Sequence, residues 1–303
     1  PIQARVAFFK EQLRHLFVND WAHGYTTPKD RPFPWIRGRQ TGGRLHDFGR
    51  VLFRWSDTDF KGRSLGTGPE DWPLSYADIA PFYEKVERFL GICGNDDGVE
   101  TAPDGIMAEP AILTPEEKGF RAALKAQWAD RHTVAWRFNR YKSSPLPAGL
   151  EAALASGRTT LQSEAIVERI ESDSDSGRAT GVTFVHRRTR KRHTISAKAV
   201  VVCASPIESV RLLLNSRSAR HPSGLGNSSG VLGRYFMDQC ASLMFGRWPA
   251  IAREGQPETL PEHPLFGATG GMYVPRYEHP ANHRDSSFTG CYTYQGPIGR
   301  SAG

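Results

Sequence analysis

Cysteine is scarce in this 303-residue chain, and Cys93, Cys203, Cys240 and Cys291 lie far apart without forming a Cys-x-x-Cys pair. That spacing proposes neither a zinc knuckle nor a redox dithiol, and no metal site is assigned. Long apolar runs are missing too. No stretch approaches the ~20 uninterrupted apolar residues of a membrane-spanning helix, and no charged leader with an apolar core opens the chain. What is present is a 39% apolar composition, enough for a substantial core in one large domain or two smaller ones, soluble and globular. There is no initiating Met; the chain opens on an amphipathic pattern, Ile2, Val6, Phe9, Leu13 and Leu16, and closes on GPIGRSAG after a strand-like segment. Both ends look cut from something longer.

The formal net charge of +7 suits an anionic partner, and its densest part is His186 to His193, HRRTRKRH. Apolar residues flank it, Val182, Phe184 and Val185 before and Ile195 after, so it reads as the tip of a β-hairpin, either solvated or a contact for an anion. No aromatic platform interleaves it, which argues against nucleic acid.

The chain is organised around Ala199 to Ser216, AVVVCASPIESVRLLLNS. Val200, Val201, Val202, Cys203 and Ala204 carry no alternating polar residue, which predicts a strand buried on both faces and an inert Cys203. After Ser205-Pro206 the spacing of Ile207, Val210, Leu213 and Leu214 predicts a helix, with Ser205 able to cap it, Pro206 at its first position and Glu208 early. Such a corner binds ligands in open α/β sheets, or is an ordinary core unit.

Upstream, Thr26 to Phe60 has no period of either kind and reads as a long, aromatic loop. Gly42-Gly43 allows close backbone approach, and Arg37, Arg39, Arg44 and Arg50 are donors suited to phosphate, or the stretch is a tight turn on a basic surface. Tyr76 to Leu90 is predicted helical, with Ile79, Phe82, Tyr83, Val86, Phe89 and Leu90 as a core stripe stopped by Gly91. Asn95 to Pro110 is low in pattern. Thr114-Pro115-Glu116-Glu117 is a capping box opening a helix with Phe120, Leu124 and Trp128 inward. Thr159 to Ile170 reads as a strand, Asp173 to Gly177 as a polar turn, and Ala179 to His186 with Arg192 to Ala197 as a hairpin. Gly224 to Gly230 is a loop, Val231 to Gln239 starts a new element, and Met272 to Arg276 and Cys291 to Gln295 alternate as strands of a Tyr-rich sheet.

The loop RGRQTGG...FGRVLFRWSDTDF, then DWPLSYADIAPFYEKVERFLGICG, AKAVVVCASPIESVRLLLNS and GLGNSSGVLGRYFMDQ follow in an order that closely resembles the glucose-methanol-choline (GMC) family of flavin oxidoreductases, in particular its sugar and sugar-acid dehydrogenase branch. The resemblance runs from about Phe33 to about Gln295. It implies an α/β (α+β) fold: a partial FAD/NAD(P)-binding domain with an accessory β-meander, plus part of a β-sheet substrate domain. The implied division is residues 1–94 (helix, Gly-Gly cofactor loop and following helix), 95–158 (helical or irregular substrate side), 159–234 (meander, buried strand and helix of the FAD domain) and 235–303 (start of the β-rich substrate domain).

The resemblance also implies site residues. Arg39, Gly42 and Gly43 match the Arg-x-x-Gly-Gly loop beside the diphosphate and isoalloxazine; Val167 matches a strand residue whose main chain meets the adenine; Ala204 and Ser205 fall on an Ala-Gly pair at the cofactor. His46, Asp47 and Gly49 belong to the same loop. Where some relatives attach FAD through a His this chain has Asp47, with His46 one place earlier, so non-covalent FAD is implied. Phe48 stands where relatives often place Trp. No Gly-x-Gly-x-x-Gly occurs in the sequence. The family's catalytic His lies in a closing motif, and His263, His279 and His283 lack that context, so no catalytic residue is assigned. The expectation is a central, incomplete and inactive portion of an FAD-dependent dehydrogenase or oxidase, binding FAD weakly or not at all by itself. Its substrate is a small alcohol or sugar oxidised at a CH-OH carbon, with an electron acceptor of unknown identity, no nucleic acid and no membrane span. The compartment, cytoplasmic or periplasmic, stays open. The alternative is a non-catalytic scaffold that binds an anionic partner through residues 186–193.

Overall fold

A Ser or Thr followed three residues later by a carboxylate starts each of the two longest helices, and both ends are built as that chemistry dictates. The computed structural model describes residues 11–43, 51–66, 70–139, 146–238, 242, 244, 246, 262–263, 267–268, 270–276 and 292–299. In chain order these form a 3-10 helix Glu11–Leu16, α1 Asp57–Phe60, α2 Tyr76–Leu90, β1 Ile92–Cys93, α3 Pro115–Gln127, β2 Val134–Ala135, β3 Phe138–Asn139 and α4 Ala148–Ala155. There follow β4 Ala165–Ser172, β5 Ala179–His186, β6 Arg192–Ser196, α5 Pro206–Asn215, β7 Glu262–His263, β8 Gly267–Ala268, β9 Met272–Val274 and β10 Tyr294–Gly296. This mixture of helices and small sheets is the α/β (α+β) class expected. The chain forms two units, Pro1–Ala153 with Trp248–Gly303, and Leu154–Arg247.

In the first unit, Ser75 donates to Asp78 from both its amide and hydroxyl at the start of α2, and Gly91 ends the helix at φ +65, where an L-residue would be strained. Thr114 accepts from the Glu117 amide at 3.1 Å while Glu117 accepts from the Thr114 amide at 3.0 Å. Glu117 is wholly buried. β2 pairs with β9, and β9 with β10, all antiparallel. Because successive strand residues face opposite ways, Val134 and Ala135 belong to different clusters. Val134 packs with Val99 and Ala102 against Phe53 and Tyr273, whereas Ala135 packs with Leu113 and Met272.

The low-pattern segment from Asn95 to Pro110 is thus part of the core, and it also holds the carboxylates that pair with buried Arg137 and half-buried Arg121. Arg137 donates to Asp104 at 2.6 Å and to the Pro103 carbonyl, and Arg121 donates to Asp97 at 3.0 Å. Asp97 also accepts from the Ala135 amide at 3.0 Å, yet burial, ahead of these favourable contacts, keeps its carboxyl above the usual range. Arg54 forms a two-pronged pair with Glu87 of α2, at 2.7 and 2.5 Å.

Several expectations fail here for one reason: a periodic stripe shows that a helix has an apolar face, not what covers it. Phe82, Val86 and Phe89 of α2 are 61%, 51% and 53% exposed, and it is Glu87 that turns inward. Trp128 is exposed at the end of α3, with the Arg131 guanidinium 4.9 Å from its ring centroid. Of the opening amphipathic pattern, Ile2 to Phe9 lie outside the described residues, and the described part is 3-10, not α-helical.

In the second unit β4, β5 and β6 form an antiparallel meander. The hairpin arms fall within one residue of their expected ends, because polar turns bracket alternating β-branched residues. β4 starts at Ala165, not Thr159, since Glu164 at φ +58 breaks the extended backbone. Ser216 ties α5 to this sheet: its hydroxyl accepts from the Ile170 amide at 2.8 Å and donates to the Leu212 carbonyl at 2.7 Å.

The buried strand expected at Val200 to Ala204 is absent. These residues form no strand, Val201 is 84% exposed and Cys203 is exposed rather than buried and sheltered. A strand exists only through its ladder, and among the described residues no neighbour pairs with this run. Residues 231–238 likewise form only turns and bends, so the element expected from Val231 does not form there. β9 and β10 do pair, Tyr294 opposite Val274, and Tyr292 and Tyr294 remain 42% and 49% exposed.

Candidate cofactor site

The Gly42-Gly43 turn follows from its sequence. Both residues take positive φ, +90 and +66, which side chains resist. The Gly43 amide donates to the Gln40 carbonyl at 3.1 Å, and the Gln40 side chain donates back to the Gly43 carbonyl at 3.0 Å. Nothing lies within 4 Å of where a Gly43 side chain would begin. The result is a hydrogen-bonded turn with an open backbone face. Arg39, beside it, is exposed.

Arg37 is not available to phosphate as the sequence suggested. It is buried, donates to the His23 carbonyl and stacks 4.0 Å from the Trp35 ring centroid, with the Asp20 carboxylate 3.8 Å away. The Trp35 amide donates to the Tyr25 hydroxyl, which donates to the Phe33 carbonyl, so this aromatic bracket fixes the chain just ahead of the glycines. His46, Asp47 and Gly49, with Arg44, Phe48 and Arg50, lie outside the described residues.

Val167, Ala204 and Ser205 belong to the second unit. Val167 is half-buried on β4, opposite Phe184, and the ladder shifts register between Val167 and Arg169. β4 is an edge strand of the meander, so one side of its main chain is free of strand pairing among the described residues. Ser205 stands at the N-cap of α5 with φ +70 and ψ +159, and its side chain makes no capping hydrogen bond. The expected cap is therefore absent, on a backbone far from the extended φ that an N-cap residue ordinarily takes. The region at φ +70 and ψ +159 is essentially reserved for glycine and costs about 1–3 kcal/mol in another residue. The one signal was the Gly that the family resemblance places at this position; local rules pointed the other way, since a residue before proline ordinarily takes extended φ. Ala204 is exposed beside it.

In the first unit the glycine turn presents an open backbone face, and in the second the edge of β4 and the exposed Ala204 and Ser205 do the same, each a main-chain surface of the kind a flat, polar cofactor packs on. Pro206 supplies no N-H and Glu208 places a negative charge in the first turn of α5, paired with Arg211 at 2.6 Å, so this helix start is not arranged for a diphosphate. Among the described residues no group of three His, Cys, Asp or Glu is placed to hold a metal ion, and no helix is long and apolar enough to cross a membrane.

Known proteins are similar to this sequence over part of their length. The chain is 31% identical to 2-methyl-1,2-propanediol dehydrogenase of Mycolicibacterium austroafricanum over 87% of its own length and 49% of that protein. It is 27% identical to paromamine 6'-oxidase of Streptomyces fradiae, over 74% of this chain and 44% of that one. With the fructose dehydrogenase large subunit of Gluconobacter japonicus the identity is 25%, over 65% and 40% of the two chains. The chain thus spans about half the length, or less, of the curated relatives it matches. The sequence pattern of the family described as GMC oxidoreductase matches residues 29–241, most of the chain. With that match extending across both units, the chain belongs to the GMC oxidoreductase family.

Proposed function

We propose that this chain is the central part of a flavin enzyme that oxidises a CH-OH carbon of a sugar- or polyol-like alcohol, with non-covalently held FAD as hydride acceptor. The observation that carries this is the Gly42-Gly43 turn, held by its two hydrogen bonds with an open backbone face, inside a region matched by the family pattern. By the family resemblance, Arg39, Gly42 and Gly43, with His46, Asp47 and Gly49 in the same loop, are the proposed cofactor residues of the first unit, and Val167, Ala204 and Ser205 are those of the second. FAD, when bound, supplies the two-electron acceptor for hydride leaving the alcohol carbon. The chain's own part is to bind and orient: backbone amides and carbonyls position the cofactor, and no residue here is assigned as the base that takes the hydroxyl proton.

The substrate class rests on the relatives, whose names carry a diol, paromamine and fructose. Whether the protein passes electrons to oxygen or to another acceptor is left open by those names, which include both oxidases and dehydrogenases. The test starts from the coding DNA on both sides of this stretch. An in-frame Gly-x-Gly-x-x-Gly before it and a His-bearing segment after it, in a product that purifies yellow and is bleached anaerobically by a sugar or polyol, supports the proposal. Stop codons on both sides, or an extended product without flavin, overturns it. The 303-residue chain alone is expected to take up FAD weakly or not at all, and a near-stoichiometric flavin spectrum contradicts that part.

A further inference from the structure

The meander of the second unit contains the same turn twice, with different residues at its one demanding position. In the β4–β5 turn the Asp173 amide donates to the Arg178 carbonyl and the Gly177 amide donates to the Asp173 carbonyl, both at 2.9 Å. In the β5–β6 turn the His186 amide donates to the Lys191 carbonyl and the Arg190 amide donates to the His186 carbonyl, again both at 2.9 Å. The equivalent residues Gly177 and Arg190 take φ +71 and +59. Glycine is the ordinary occupant of that left-handed position, and a side chain there is disfavoured. The first turn follows this rule and the second keeps an arginine against it.

The surrounding charges are sorted. Arg187 forms a two-pronged pair with Glu164, its second contact at 3.1 Å, and Arg192 pairs with Glu168 at 2.8 and 3.0 Å. The His186 ring contacts the Thr189 hydroxyl at 3.1 Å. These contacts brace the tip. Arg188 lies near enough to help depress the Glu164 carboxyl, after the larger effect of Arg187, but among the described residues no carboxylate pairs directly with Arg188, Arg190 or Lys191. All three are exposed.

From the outlier at Arg190 and this sorting of charges, we propose that the β5–β6 tip is a docking point for an acidic, Asp/Glu-rich segment of a partner protein. The guanidinium fork matches carboxylates in two-pronged geometry. Two other anionic surfaces fit less well. The tip has no aromatic platform on which single-stranded nucleic acid stacks, and no apolar side chain to enter a lipid surface. This docking is independent of flavin binding.

The experiment is Arg190→Gly in the whole chain, read two ways. Far-UV circular dichroism should show the meander melting at a higher temperature, because the left-handed strain is gone. Binding of a fluorescent oligoglutamate peptide at low salt should weaken about fivefold, the upper range for one exposed ion pair. Arg188→Ala, Arg190→Gly and Lys191→Ala together should weaken it about a hundredfold. Arg190→Asn, neutral and tolerant of the same backbone, should match Arg190→Gly in binding, and Arg190→Lys, which keeps the charge without the fork, should fall between Arg190→Gly and the parent. The proposal is overturned if the chain shows no salt-sensitive binding of oligoglutamate, if Arg190→Gly binds as tightly as the parent, or if it fails to gain stability. Tighter binding of phosphatidylserine vesicles or of a single-stranded oligonucleotide than of oligoglutamate overturns it too.

Discussion

Replacing Glu87 by glutamine tests the most fully buried charge arrangement in the first unit. The Arg54 and Glu87 side chains are 6% and 10% exposed, so water cannot stand in for a lost partner. Glu87 accepts two hydrogen bonds from Arg54 and a third, at 2.8 Å, from the Ile106 amide, while Arg54 also donates to the Tyr76 hydroxyl at 2.8 Å. A side-chain carbon at Gly105 would collide with the Glu87 carboxylate, so only glycine leaves room for the pair. Breaking a buried pair by removing one charge costs about 3–5 kcal/mol. Glutamine keeps the shape and one acceptor, so a loss of about 3 kcal/mol is expected at neutral pH.

The assay is urea unfolding followed by tryptophan fluorescence. All 7 tryptophans of the sequence lie outside the Leu154–Arg247 unit, so the signal reports the first unit alone. The pH dependence has a definite sign. Burial raises the Glu87 carboxyl, but the hydrogen bonds from Arg54 and the Ile106 amide outweigh it and leave it below the ordinary value. Its stabilising contribution is therefore present above the unfolded carboxylate range and lost as pH falls through the lower folded value. The gap between parent and Glu87→Gln should narrow under acid conditions. A cost below about 1 kcal/mol, or strict additivity of Arg54→Ala and Glu87→Ala in a double-mutant cycle, refutes the reasoning.

Three further outcomes are expected. Asp97→Asn keeps an acceptor for the Ala135 amide and removes a carboxylate that burial disfavours. An acid whose folded pKa is raised loses stability as pH rises through that value. The variant should gain stability at neutral pH in the same fluorescence assay, and a loss of more than about 1 kcal/mol shows that the Arg121 pair outweighs burial. Ser205→Gly relieves a glycine-like backbone at some cost in chain entropy, with a net gain of about 1 kcal/mol, read from denaturation of the second unit by circular dichroism; an unchanged or lower midpoint counts against the strain. Gly181→Ala places a methyl 2.1 Å from the Ile195 carbonyl of the neighbouring strand, so the meander should lose about 3 kcal/mol, and a wild-type melting profile contradicts that clash.

The parts legible in the sequence are those whose cause is local. The capping box at Thr114 holds because partners three residues apart meet in the first helical turn whatever else the chain does, and the structure adds a like one at Ser75. The hairpin of β5 and β6 holds because alternation and a polar turn specify register between neighbours in sequence. Gly42-Gly43 was visible as a turn for the same reason, while the resemblance carried by motif order named the family, which no local rule could name.

Tertiary structure decided everything that needs a distant partner. The pairing of Arg54 with Glu87 spans residues that no periodicity links, and Arg37 was read as a phosphate donor until the fold enclosed it between His23 and Trp35. Val200 to Ala204 has the composition of a central strand, yet composition supplies only the appetite for burial; a strand forms when another backbone offers the matching amides and carbonyls, and here none of the described residues does. By itself, then, the sequence determined the Thr114 cap, the turns, the hairpin and the family, because each is written in neighbouring residues or their order, whereas the Ser205 cap failed on a backbone angle that neighbours did not set. Which faces are covered and which charges are paired was decided in three dimensions, since burial and ion pairing belong to two surfaces at once.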